Sequence, residues 1–208
     1  MNMKQKLLIF DFDGVLEDTF DWNFKVAKKR YKGIDKESYR TWFNGNIYEH
    51  PIVLEAGPMN VEEYFEIYKK GFVGKKLKNK FKKFLGEVSK EYTLVIISSI
   101  DEDIIFPYLK RSDALHFFKD IWGYKTETSK IKKFKRFLKN YKISKKDCLF
   151  ITDTLGDILE ANKVGIPSLG VSWGYHHKKT LLKGNPVFVA DSVRELENFL
   201  LKNPQKSL

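Results

Sequence analysis

The chain has 208 residues, of which 42% are apolar, 15% aromatic and 31% charged, a globular balance that suits one ordinary domain or one domain with an insert. Its 38 basic against 27 acidic residues leave a net charge of +11, which points to an anionic partner, small or polymeric, or to no specific partner. The lone Cys148 excludes an internal disulfide, no apolar run approaches the roughly 20 residues that cross a bilayer, and the four apolar residues before Asp11 are too few for an export signal, so a cytoplasmic protein is expected.

Lys6 to Phe10 is a short apolar run that meets Asp11-Phe12-Asp13-Gly14 and reads as a buried strand followed by a glycine turn. Residues 18–84 then show no strand-like run. Phe20, Trp22, Phe24 and Val26, then Tyr39, Trp42 and Phe43, then Val61, Tyr64, Phe65 and Tyr68 form aromatic-rich helical patterns, broken at Gly71 to Gly74. Such a length is too great for an irregular crossover, so a helical insert is expected. Tyr92 to Ile97 reads as the second strand and ends at Ser98-Ser99. Asp101 opens a helix with Ile104, Ile105, Tyr108 and Leu109 on one face. Ser129 caps another, whose apolar face is Ile131, Phe134, Leu138 and Tyr141. Its Lys132, Lys133, Lys135, Arg136 and Lys139 are expected to face solvent.

Cys148 to Thr152 is the third strand and ends at Asp153. Ile158, Ala161 and Asn162 lead to a stop at Gly165. Pro167 to Val171 and Pro186 to Ala190 give two more strands, and Asp191-Ser192 caps a final helix. Near-continuous apolar strands alternating with helices imply a Rossmann-like, doubly wound parallel α/β fold. Residues 1–17 and 85–208 are expected to form it, with 18–84 as a helical unit inserted after the first strand.

The polar residues fall where such a sheet binds ligands, at the carboxyl ends of its strands. Asp11 and Asp13 are two apart, so both carboxylates point to one side of an extended chain and repel. A metal ion or a proton would relieve them, and Asp153 can add a third carboxylate. Hard oxygen donors without His or Cys suggest Mg²⁺. Ser98 and Ser99 suit phosphate oxygens, and a lysine could balance the remaining charge.

These motifs resemble those of the haloacid dehalogenase-like hydrolases. Asp11-Phe12-Asp13-Gly14-Val15-Leu16-Glu17-Asp18-Thr19 is similar to their first motif, Val95 to Ser99 to the second, Lys130 to the third and Asp153-Thr154-Leu155-Gly156-Asp157 to the fourth. The insert resembles the helical cap of the phosphoglycolate phosphatase-like branch. The resemblance implies that Asp11 is the nucleophile, that Asp13 is the acid and base, and that Ser98 and Lys130 hold the phosphoryl group. It further implies Mg²⁺ on Asp11, Asp13 and Asp153 with help from Asp157. An acid at Asp13 favours phosphate esters over dehalogenation. Two departures stand out: Thr152 replaces a common glycine, read as chemically neutral, and Ile131 follows Lys130 where the family often has proline, which leaves Lys125 as a rival.

The expected activity is therefore Mg²⁺-dependent hydrolysis of a small phosphorylated metabolite. A phosphosugar mutase would keep the same catalytic residues. The ten basic residues between 125 and 146, against the single acid Glu127, also allow a polynucleotide phosphatase or a non-catalytic nucleic-acid-binding protein, although no nucleic-acid motif accompanies them.

Overall fold

Short runs of Leu, Ile, Val and Phe pair into one buried sheet. The computed structural model describes residues 6–47, 50–51 and 61–202. Its strands are β1 (Leu7–Phe10), β2 (Thr93–Ile97), β3 (Phe118–Trp122), β4 (Cys148–Thr152), β5 (Ser168–Val171) and β6 (Phe188–Ala190). All neighbours are parallel, in the order β3-β2-β1-β4-β5-β6. The order reverses beside β1, between β2 and β4, which opens a crevice at their carboxyl ends.

Five of these strands match the apolar runs in the sequence. β3 was not anticipated. Exposed Lys119 and half-buried Asp120 interrupt its apolar pattern, and as an edge strand it pairs only with β2. A strand with one covered edge tolerates such residues better than β1 or β4, which are buried throughout.

The described helices are α1 (Phe20–Arg30), α2 (Lys36–Thr41), α3 (Val61–Lys70), α4 (Asn79–Val88), α5 (Glu102–Arg111), α6 (Lys130–Tyr141), α7 (Leu155–Val164), α8 (Lys178–Leu181) and α9 (Val193–Lys202), with a 3₁₀ turn at Trp42–Asn44. Strand alternation sends Leu8 and Phe10 to one face, where Phe84 and Leu85 of α4, Ile105 of α5 and Leu196 of α9 pack. Leu7 and Ile9 meet Phe134 and Phe137 of α6 and Ala161 of α7 on the other. No described helix is long and apolar enough to cross a membrane.

The segment before α4 packs in two ways. Phe20, Ala27, Tyr31, Tyr39 and Trp42 form their own aromatic cluster, joined by Tyr175. Phe65, Tyr68 and Phe72 instead share the main core with Phe12. The expected boundary at 84/85 cuts through α4, whose Phe84, Leu85 and Val88 lie against the sheet. The sheet layer thus resumes by Asn79. Of the insert's aromatic residues, Tyr48 lies outside the described residues.

Helix α6 corrects the outward placement of Lys133. Its buried side is Lys130, Lys133, Phe134 and Phe137, an i, i+3, i+4, i+7 stripe, with Ile131, Leu138 and Tyr141 half-buried. Lys132, Lys135, Arg136 and Lys139 are exposed as expected. Lys133 is fully buried because its ammonium donates to the carbonyls of Ser98 and Gly123, just past the ends of β2 and β3. Burial, aided by repulsion from Lys130, pushes its pKa down to about 8 from the ordinary 10.5. Between those values the unfolded chain holds a proton that the folded chain has lost, so stability rises with pH in that window. Relative to Lys133→Met, the unfolding free energy of the natural protein should gain about 2 kcal/mol between pH 7.5 and pH 10 in urea titrations. A difference that stays flat would show that Lys133 titrates as a solvated lysine.

Candidate active site

The carboxyl ends of β1 and β4 bring four acids and one lysine together. Asp11 continues the β1 ladder, its N–H donating to Ile151 O at 2.9 Å. Phe12 turns into the core, and Asp13 faces the same cavity as Asp11. The chain then folds back sharply, with the Gly14 N–H on Glu17 O at 2.8 Å and the Leu16 N–H on Phe12 O at 3.0 Å. Gly14 adopts φ +67°, and a Cβ there would lie 1.8 Å from Asp153 Oδ2; one on Gly174 would lie 2.2 Å from the same oxygen. Both glycines are needed for Asp153 to sit where it does.

Lys130 is the first residue of α6, behind the Ser129 cap. Its Nζ donates to Asp11 Oδ2 at 2.7 Å and to Asp157 Oδ2 at 2.6 Å, and its side chain is only 5% exposed. Lys125 instead pairs with Asp103 and Asp101 at the surface. Of the two lysines that the sequence left in competition, Lys130 is the one that reaches Asp11. Ser98 and Ser99 border the same cavity. The Ser98 N–H is spent on Trp122 O at 2.9 Å and its Oγ accepts the Ile100 N–H at 3.3 Å, so its hydroxyl proton, not its amide, is what it can offer.

Burial sets the electrostatics. It raises the Asp11 carboxyl well above the usual range in spite of Lys130. It would raise Asp157 too, but the Lys130 ammonium and hydrogen bonds outweigh it and hold that group below the usual range. Asp13 is pushed up to about 6 by burial, against hydrogen bonds from Tyr68 and Thr19. Asp153 is raised well above the carboxylate range by burial and by the nearby Asp11. Lys130 stays protonated: the two carboxylates overcome the penalty of burial and lift it above its ordinary value.

Several partners were not visible in the sequence. The Tyr68 hydroxyl donates to Asp13 Oδ1 across 55 residues of chain. The Tyr175 N–H donates to Asp153 Oδ2 at 2.7 Å. Thr152, read as neutral, donates to Asp157 Oδ2 at 2.8 Å and so fixes that carboxylate beside Lys130. Glu17, which the sequence marks only as one position of the first motif, accepts from the Tyr108 hydroxyl at 2.7 Å and Lys75 at 3.0 Å. His176 bridges Leu155 N–H and Arg40 O, a structural role that leaves no ring nitrogen for a ligand.

The donors suit a hard cation. Asp153 Oδ1 is buried without a hydrogen-bond partner among the described residues, its neighbours are oxygen donors, and burial together with repulsion from Asp11 raises its carboxyl. A divalent ion would satisfy that oxygen and offset the repulsion. The side chains are not gathered into a ready-made ligand cluster among the described residues: the Lys130 ammonium stands between Asp11 and Asp157. The cavity that these groups floor has a volume of about 400 Å³.

A family model of the haloacid dehalogenase-like hydrolases matches residues 8–171. A phosphoglycolate phosphatase of Vibrio cholerae is 26% identical over 113 residues, covering 53% of this chain and 50% of that protein; the chain thus aligns with about half the length of this relative. A solved haloacid dehalogenase-like family hydrolase from Streptococcus pneumoniae superposes with a TM-score of 0.71 at 23% identity, covering 94% of this chain and 98% of that one. A Thermotoga maritima structure described provisionally as a β-phosphoglucomutase gives 0.67 at 22% identity, over 95% and 99% of the two chains. These two likenesses show the shared fold.

Proposed function

The chain belongs to the haloacid dehalogenase-like hydrolases, and we propose on that footing that it is a Mg²⁺-dependent phosphomonoesterase working through an aspartyl-phosphate on Asp11. The observation that carries this is the buried Lys130 ammonium bound to both Asp11 and Asp157, beside an Asp153 oxygen that has no partner among the described residues. Such a site, once it holds a divalent ion, would offset the charge of an incoming phosphate and leave an oxygen nucleophile beside it.

Asp11 Oδ2 attacks phosphorus as the ester P–O bond breaks. Asp13 gives its proton to the departing alkoxide. A carboxyl near 6 is populated in both forms close to neutrality, which suits a group that must be acid and then base. The Asp13 carboxylate next takes a proton from water, whose oxygen attacks the phosphorus, and phosphate leaves with Asp11 restored. Lys130 and the Ser98 hydroxyl hold the phosphoryl oxygens. Asp11, Asp153 and the Asp13 carbonyl would hold Mg²⁺, with Asp157 assisting; the bound ion would draw charge from the transferring group.

The elements from Phe20 to Lys70 act in this reading as a cap that excludes water. Phosphoglycolate, named for the Vibrio relative, is one small ester to test. Hydrolysis is favoured over a mutase because Lys130 is the sole cation among the described lining residues, whereas a mutase must also hold a second phosphate. Lys132, Lys135 and Lys139 do not line the cavity, so the basic face contributes no side chain to the site that holds Asp11.

A screen of small phosphate esters with and without Mg²⁺ tests the reading. EDTA should silence the enzyme, Mg²⁺ should restore it, and Ca²⁺ should support it poorly, since that ion takes more ligands at looser geometry. Full activity in metal-free protein would contradict the carboxylate assignment.

A further inference from the structure

The lining of the cavity is ionic in one part and aromatic in another. Besides Asp11 and Lys130, the lining includes Tyr39, Phe43, Ile47, Tyr64, Phe65 and Tyr175. Phe43, Ile47 and Tyr64 are only half-buried, so they still have surface to give to a ligand. The wall is braced: Phe43 meets Tyr175 edge-to-face at 4.6 Å and Tyr39 at 5.3 Å, and Phe65 meets Tyr124 at 5.1 Å. Rings held in this way keep a cavity open and do not collapse into it. Lys130 is the sole cation among the described lining residues, and two carboxylates already engage it.

We propose that the substrate of this site is a phosphate monoester whose alcohol portion is an uncharged aromatic ring system. The inference rests on the phosphomonoesterase reading above and names its substrate class. The phosphate sits on the ionic floor and the ring lies against Phe43 and Tyr64. An alcohol portion bearing a carboxylate would be stripped of water among these rings with no cation to receive it. Asn23, Asn46 and Thr128 also line the cavity, but most of its lining surface is apolar, so a sugar would leave many of its hydroxyls without partners. A flat ring gains from burial and from edge or face contact with the wall, and about 400 Å³ admits one or two fused rings.

The test compares four alkyl esters with Mg²⁺: 2-phenylethyl phosphate, propyl phosphate, 2-phosphoglycolate and glucose 6-phosphate. The phenylethyl ester should exceed phosphoglycolate and glucose 6-phosphate in kcat/KM by at least about 30-fold. Its advantage over propyl phosphate should shrink at least about fivefold in both Phe43→Ala and Tyr64→Leu, mainly through KM. A ratio within one protein is insensitive to the fraction that folds. Phosphoglycolate or glucose 6-phosphate as the better substrate, or four esters turned over alike, would overturn the proposal while keeping the phosphatase. No hydrolysis of any ester, p-nitrophenyl phosphate included, by folded Mg²⁺-loaded protein would overturn the phosphatase reading and this one with it.

Discussion

Asp11→Asn should lower kcat/KM by at least a thousandfold, roughly 4 kcal/mol of barrier. The change removes the attacking oxygen's charge and almost no volume. Asp11 Oδ1 accepts the Phe12 N–H at 2.7 Å, and an asparagine carbonyl can keep that bond. The amide then faces Lys130 with a donor where an acceptor stood, so the variant loses the ion pair at 2.7 Å. Lys130 retains Asp157 at 2.6 Å, which keeps its charge compensated and the fold intact. Circular dichroism should therefore be unchanged while steady-state turnover and the covalent phosphoryl label both disappear. Near-normal turnover from Asp11→Asn would remove Asp11 from the nucleophile's role.

Such a test could be written from sequence because the chemistry is concentrated at strand ends. Four apolar residues followed by Asp11-Phe12-Asp13 specify a buried strand, its end and two acids on one side of it; β4 and Asp153 repeat the logic. Distance in sequence hides the rest. Tyr68 reaches Asp13 from α3, and nothing in a tyrosine on an aromatic helix marks it as a partner of that acid. Tyr175 contributes a backbone N–H, a group every residue but proline possesses. Lys133 departs from the pattern for a different reason. Periodicity assigns lysines to solvent by their type, whereas two carbonyl acceptors at the ends of β2 and β3 can hold an ammonium inside. β3 stays hidden in the sequence because Lys119 and Asp120 break an apolar run at an edge position that tolerates them. The aromatic wall is legible only in part, since Phe43 and Tyr175 can be read either as pocket lining or as packing that the fold needs.

Lys130→Ala should cost at least about 3 kcal/mol in kcat/KM, because positive charge acts here from inside the protein. The side chain is 5% exposed and lies 2.7 Å and 2.6 Å from two carboxylates; without it, Asp11 and Asp157 face each other and an incoming phosphate with no ammonium between them. Unpaired buried carboxylates would take up protons, and a protonated Asp11 cannot attack. The loss should thus appear chiefly in kcat and persist at saturating Mg²⁺. Lys132→Ala, Lys135→Ala and Lys139→Ala remove exposed charges on the same helix and should each cost under about 0.5 kcal/mol, an effect that salt shrinks further. Lys125→Ala should be equally mild, since that ammonium serves Asp103 and Asp101 at the surface. A severe Lys125→Ala beside a mild Lys130→Ala would move the third motif to residue 125. Outer lysines that matter most, and only for an oligonucleotide ester, would make the basic face a binding surface and end the small-molecule reading.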